Sequence, residues 1–201
     1  MGVQPTTERG RQTRQRIVDA AAQVVAEKGA LAASLDDVGA RATASRSQLY
    51  HYFSDKTDLL RAVAEATNDA VLGAQTDLFA MLDTWGGLVA WTDAIITIQE
   101  QGAGPRGCPI ANLLGQIGER DDGIRAVLAE GFDRWEAHIR SGLTAMVTSG
   151  ELRAETDPKW LATSTLASLQ GGLVLAQAHR DPRRLRDALD GALALIRTYR
   201  A

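Results

Sequence analysis

The chain has 201 residues, 45% hydrophobic and 23% charged, enough for one large domain or two small ones around a real core, which excludes disorder of the bulk. One cysteine excludes an internal disulfide framework and cysteine-cluster zinc or iron–sulfur sites, and five prolines beside many alanines and leucines suit helices better than sheets. The net charge of −3 hides an asymmetry, because residues 1 to 66 carry nine Lys/Arg against eight Asp/Glu while the remainder is acidic.

Four arginines, Arg9, Arg11, Arg14 and Arg16, face only Glu8 in the first sixteen residues. This stretch is polar, and no run of about eighteen apolar residues follows, so a cytoplasmic protein without a membrane span is expected. The spacing of Ile17, Ala20, Ala21, Val24 and Val25 predicts a first helix over 8–28 that closes at Gly29. Ser34, followed by Asp36 and Asp37, reads as a hydroxyl cap with acids in the first turn, opening a second helix over 35–41. Residues Ala42 to Ser45 are a short turn, and a third helix is expected over 46–52.

Ser54 and Asp55 precede a pattern on Leu59, Leu60, Val63, Ala64 and Val71 that predicts one helix from Lys56 to Met81, broken by Gly86 and Gly87. An apolar segment over 88–101 follows, then a loop from Gly102 to Gly107 that includes Pro105. Another helix begins near Cys108 and Pro109, and Asp121 with Asp122 opens a long one to about Ser149. Asp157-Pro158 and Asp181-Pro182 repeat a cap followed by a first-turn proline. The expectation is nine helices and no strand, an all-α fold.

The last two helices carry small and apolar residues along one face. Leu166, Leu169 and Leu173, with Leu189, Leu193 and Ile196, are read as a homodimer interface in which each chain gives two helices to a four-helix bundle. Packing within one chain is the alternative.

Residues 34 to 53 have the layout of a helix-turn-helix, whose second helix enters a major groove of double-stranded DNA. Arg46, Ser47, Gln48 and His51 would face outward, while Leu49 and Phe53 face the core. The residues Ile17 to Ala22, Ser34, Asp37-Val38-Gly39 and Leu49-Tyr50-His51-Tyr52-Phe53-Ser54-Asp55-Lys56 resemble the TetR family of transcriptional repressors, closely over residues 12 to 65. Gly39 stands where that family usually has Ala, and Thr43 where it usually has the turn glycine, which points to a strained turn.

The resemblance implies a three-helix DNA-binding head at residues 1–54 and a larger helical ligand-binding and dimerisation domain at residues 55–201. It further implies that Ser34, Ser45, Tyr50, Tyr52 and Lys56 mostly hold the phosphate backbone, and that Thr43 in the turn belongs to the DNA-binding set. Arg46, Ser47, Gln48 and His51 then read base edges, since Gln suits adenine and Arg suits guanine. Core packing is the alternative for Tyr52; the basic leader Arg9 to Arg16 would reach a neighbouring groove or the backbone, with a solvated tail as its alternative.

In the acidic body, Trp91, Ile95 and Trp135, with Trp85, Phe132 and Trp160, suggest an apolar cavity for a small organic effector. Gln99, Asn112, Gln116, His138 and Gln170 would be its polar fixtures, with core packing as the alternative for each aromatic. Cys108 opens a helix after a glycine loop, beside Arg106, where the helix dipole would lower the thiol pKa and make an electrophile sensor. A small residue lining the pocket or core is the alternative. An enzyme is a rival class, but no spacing links Asp121, Asp122, His138 and Cys108, and no cofactor, metal or catalytic residue is expected. A helical interaction module without DNA is the third class.

Overall fold

A computed structural model describes residues 5–101 and 106–201. The expected loop at Gly102 to Gly107 therefore has its residues 102 to 105, Pro105 among them, outside the described residues. These hold ten helices: α1 (Glu8–Lys28), α2 (Leu35–Ala42), α3 (Arg46–Tyr52), α4 (Lys56–Gly73), α5 (Thr76–Phe79), α6 (Trp85–Glu100), α7 (Pro109–Ile117), α8 (Asp122–Thr148), α9 (Pro158–His179) and α10 (Arg183–Arg197). Among the described residues there is no strand, only an isolated antiparallel bridge between Leu152 and Arg200. None of the described helices is long and apolar enough to cross a membrane.

Two expectations need correction. The helix predicted from Lys56 to Met81 is two, because Gly73 weakens the helix and the chain turns at Gln75, whose N–H donates to the Leu72 carbonyl. The turn lets the buried Gln75 accept the indole N–H of Trp91 at 2.9 Å. Gly86 and Gly87 do not break the chain but form the first turn of α6, where the Thr84 side chain accepts the Gly87 N–H at 3.1 Å. A side chain at Gly87 would overlap the Met81 carbonyl, so the position requires glycine for space.

Contacts divide the chain into two units, the first comprising Met1–Val71 and Asn112–Glu130. Here α1 buries Ile17, Val18, Ala20, Ala21, Val24 and Val25 and packs on α2, each large side chain contributing about 1.5 to 3 kcal/mol by leaving water. Two ion pairs tie α1 to α2, Arg41 with Glu27 and Lys28 with Asp37, both at 2.6 Å. The later segment of this unit is bonded to the earlier one. Asn68 of α4 donates to the Val127 carbonyl at 2.6 Å, and Gln116 of α7 accepts the Ala30 N–H at the same distance.

The second unit comprises Leu72–Ala111 and Gly131–Ala201. Helices α9 and α10 pack on each other, and α10 also packs on α6. Asp157 caps α9 through the N–H groups of Lys159 and Trp160, and Asp181 accepts the Arg183 N–H at the start of α10.

The stripe read as a dimer face lies in the seam between these two helices. Leu169, Leu189 and Ile196 are wholly buried within one chain, and Leu166, Leu173 and Leu193 are at most 9% exposed. The small residues serve this internal contact: a Cβ on Gly172 would lie 2.9 Å from that of Ala188. The apolar residues that α9 leaves outward are others, with Trp160, Val174 and Leu175 each about half exposed.

Candidate functional site

The turn between α2 and α3 determines how α3 is presented. Thr43 ends α2 with φ 48° and ψ 46°, a left-handed conformation that a β-branched residue seldom adopts. The Ala44 N–H then reaches the Gly39 carbonyl at 2.9 Å. Gly39 is held small by this closure, since a Cβ there would sit 3.1 Å from the Ala44 carbonyl and 3.3 Å from Leu49. Both departures from the family pattern thus fall in one tight corner.

Each short helix is closed by a capping box. Ser34 and Asp37 exchange bonds at the start of α2, and Ser45 and Gln48 do so at the start of α3. Leu49 and Phe53 are buried, while Arg46, Ser47, Gln48, Tyr50 and His51 are exposed on one short helix. The Arg46 guanidinium lies 5.9 Å from the Tyr50 ring centroid, and bonding to the Tyr50 hydroxyl raises its pKa. Tyr52 is half-buried and meets His51 edge-on. The α1 end adds Arg14, 5.1 Å from the Phe53 ring centroid, which links the basic first turns to the end of α3.

Several predicted contact residues already have internal work. The Gln48 side-chain oxygen accepts the Ser45 N–H at 2.9 Å, so Gln48 holds α3 together as well as lying on its surface. The Ser34 hydroxyl donates to Asp37 at 2.7 Å, and the Lys56 ammonium donates to the Leu31 carbonyl at 2.9 Å. Arg46, Ser47, Tyr50 and His51 therefore form the exposed polar set. The packing of Arg14 on Phe53 and the Lys28–Asp37 pair were not read from the sequence, because in each the partners come from different helices.

The nine residues proposed for an effector are spread over both units. Asn112 and Gln116 belong to the first unit, the other seven to the second. Trp91 is a core residue bonded to Gln75, and Ile95 is buried beside it on α6. Gln99 accepts the Arg106 N–H at 3.0 Å and so holds the residues leading to α7. Gln116 is committed to Ala30, and the exposed His138 stacks on Phe79 with centroids 4.3 Å apart. The Trp135 indole nitrogen is buried without a hydrogen-bond partner, and Gln170 lies against the Cys108 sulfur.

Cys108 reverses its expected chemistry. The first-turn amides of α7 at Ala111 and Ile110 do favour the thiolate, as does Gln170, but burial outweighs them and pushes the thiol pKa up from its ordinary value. A buried thiol of raised pKa is a poor nucleophile.

The first helices match the family model described as bacterial regulatory proteins, tetR family, over residues 17–63, and the body matches the one described as tetracyclin repressor-like, C-terminal domain, over residues 85–192. The chain is 30% identical to an uncharacterised HTH-type transcriptional regulator of Mycobacterium tuberculosis, over 84% of this chain and 86% of that one. It is 27% identical to the transcriptional regulator AcuR of Cereibacter sphaeroides, over 84% and 78%. Its fold is similar to that of reduced E. coli NemR, with a TM-score of 0.81 at 19% identity over 90% of this chain and 95% of that one.

Proposed function

The chain belongs to the TetR family of transcriptional regulators, with that family's helix-turn-helix for DNA binding, and on this premise we propose that it is a repressor that binds a palindromic operator as a homodimer and is released by a small-molecule effector. The observation that carries the proposal is the exposed set Arg46, Ser47, Tyr50 and His51 on a capped helix whose apolar side is buried. Arginine and histidine there offer donors to base edges, and Tyr50 with the first-turn arginines offers donors to phosphates. A relative named as a repressor, DhaR of a Mycobacterium species, is 23% identical over 91% of this chain.

Two copies are required because one seven-residue helix reads too few base pairs, and a twofold pair reads two half-sites about 34 to 36 Å apart. We assign the contact between copies to the outward face of α9, with Val174 and Leu175 at its centre, since the inward face is already buried within the chain. The raised pKa of Cys108 favours release by a reversibly bound effector over alkylation of that thiol. Selection from randomised duplexes, followed by retardation in gels, tests the reading. A twofold-symmetric site bound in a salt-sensitive manner is expected, whereas equal retention of every sequence would refute it.

A further inference from the structure

The arginines of the first unit divide by what holds them. Arg11 pairs with Glu8, Arg41 with both oxygens of Glu27, and Arg61 with Asp121, and a guanidinium so paired has much of its charge and several of its donors engaged. Arg14 and Arg46 lie instead against aromatic rings, those of Phe53 and Tyr50. Of these two, only Arg46 stands on the exposed side of α3. Asp36 of α2 acts on it through charge alone.

Position 50 is one turn on from position 46, and side chains on a helix lean toward its N-terminus, so the tyrosine reaches back over the arginine. The ring centroid is 5.9 Å from the guanidinium, near the limit at which a ring attracts a cation, and the bond to the Tyr50 hydroxyl is the largest single influence on Arg46. A neutral hydroxyl fixes the direction of the guanidinium without cancelling its charge. It also engages only part of the five-donor fork, which leaves a pair of N–H groups free, the number that a guanine edge accepts. Because the hydroxyl oxygen accepts from Arg46, its own proton remains available to a phosphate oxygen.

We propose that Tyr50 is a positioning residue for base reading: its hydroxyl aims the Arg46 guanidinium at one base edge and donates to a phosphate, so that the reading arginine and the DNA backbone are held in one register. This rests on the reading of the chain as an operator-binding regulator and names the residue that sets the specificity of that same site. Phosphate contacts by themselves carry no sequence information, and a long arginine that nothing holds loses rotamer freedom when it docks. A tyrosine that performs both tasks converts a backbone contact into discrimination between bases.

The test compares Tyr50→Phe, which keeps the ring and removes the hydroxyl, with Arg46→Ala and with the double variant, all in the full chain. Tyr50 is 47% exposed, so Tyr50→Phe is expected to melt with the parent. Selection from randomised duplexes by the parent supplies the preferred site, and Arg46→Ala identifies the base position at which preference is lost. Competition between the preferred duplex and duplexes altered at single positions, at low salt where weakened variants still bind, then measures discrimination by each protein. Tyr50→Phe is expected to reduce discrimination at the Arg46 position by at least about threefold, to leave other positions within a factor of about two, and to lower the salt slope by about one phosphate. In the double variant, discrimination at that position should be no lower than in Arg46→Ala, because no guanidinium is left to aim. Weaker binding of Tyr50→Phe to every duplex by one common factor would reduce Tyr50 to a phosphate contact and overturn the proposal. Losses that add in the double variant, or an Arg46→Ala variant that keeps every preference, would overturn it as well. Selective binding by the parent with discrimination unchanged in Tyr50→Phe removes the positioning role alone, whereas no selective binding by the parent removes the repressor reading beneath it.

Discussion

The side-chain oxygen of Gln116 accepts the backbone N–H of Ala30 at 2.6 Å, across 86 positions of sequence. Ala30 is wholly buried just after α1, and Gly29 beside it has a φ of +82°, with Gln116 3.2 Å from where a Cβ would stand. No turn residue supplies that acceptor. Gln116→Ala is therefore expected to leave a buried donor unpaired and to lower stability by about 1 to 3 kcal/mol, with faster hydrogen exchange at Ala30. Gln116→Glu, which keeps an acceptor, should lose less. Unchanged exchange at Ala30 in Gln116→Ala would show that the bond is dispensable.

Thr43 carries the strain of the corner between α2 and α3, with a φ of 48° on a β-branched residue. Glycine adopts this conformation without the Cβ clash, though it also loosens the unfolded chain. Thr43→Gly should raise stability by about 0.5 to 1 kcal/mol in denaturant titrations, and Thr43→Val should not. Equal midpoints for all three would mean that the corner holds no strain.

The division of labour on α3 is testable at two positions. Gln48 accepts the Ser45 N–H and caps the helix, whereas the Arg46 side chain does not enter that capping box. Gln48→Ala should weaken binding to every duplex by a similar factor of about 3 to 10, through a looser helix. Arg46→Ala should change which sequences are retained and relax the preference at one position of each half-site. Selections from randomised duplexes with the two variants distinguish these effects. A sequence shift in Gln48→Ala would return that residue to the base-reading set.

These residues mark how far the sequence could be read. Caps are local, so Ser34, Ser45 and Asp157 announced α2, α3 and α9 from side chains three residues or fewer from their partners. The corner at Thr43 was legible for the same reason, since a turn that favours glycine shows wherever another residue stands. Long-range partners leave no such trace. Nothing near Gln116 points to Ala30, and nothing near Gln75 points to Trp91, the bond that the turn after Gly73 allows. The apolar stripe on α9 and α10 showed which residues avoid water, but period alone does not say whether the same chain or another covers them.

Asp37 links α2 to α1 and gives the first unit a response to acid. Its hydrogen bond from Lys28, and then those from the side chain and backbone of Ser34, hold its carboxyl at about 2, below the ordinary 3.8. A carboxylate with a depressed folded pKa stabilises the fold above its unfolded pKa and loses that contribution as the pH falls toward the folded value. The first unit should therefore weaken between about pH 4 and pH 2, and Asp37→Asn should show a flatter profile there while being less stable at neutral pH. Far-ultraviolet circular dichroism during acid titration measures both. Parallel profiles for parent and variant would show that the Lys28 contact does not persist in solution.

The contact between copies proposed for the outward face of α9 is testable by substitution. Val174 is 56% exposed and Leu175 48%, and Gly171 one turn earlier faces open space, so a partner helix could approach closely here. Val174→Asp would place a charge at the centre of that contact, and a buried unpaired carboxylate costs far more than the apolar surface it replaces. The variant should sediment as a monomer, keep its melting profile within a few degrees at equal helicity, and bind a two-half-site operator at least about tenfold more weakly. Leu169→Ala is the contrasting case. Leu169 is wholly buried in the seam with α10, so its truncation should lower stability by about 2 to 5 kcal/mol. If Val174→Asp remains dimeric while Leu169→Ala dissociates before it unfolds, the inward stripe, and not the outward one, joins the two copies.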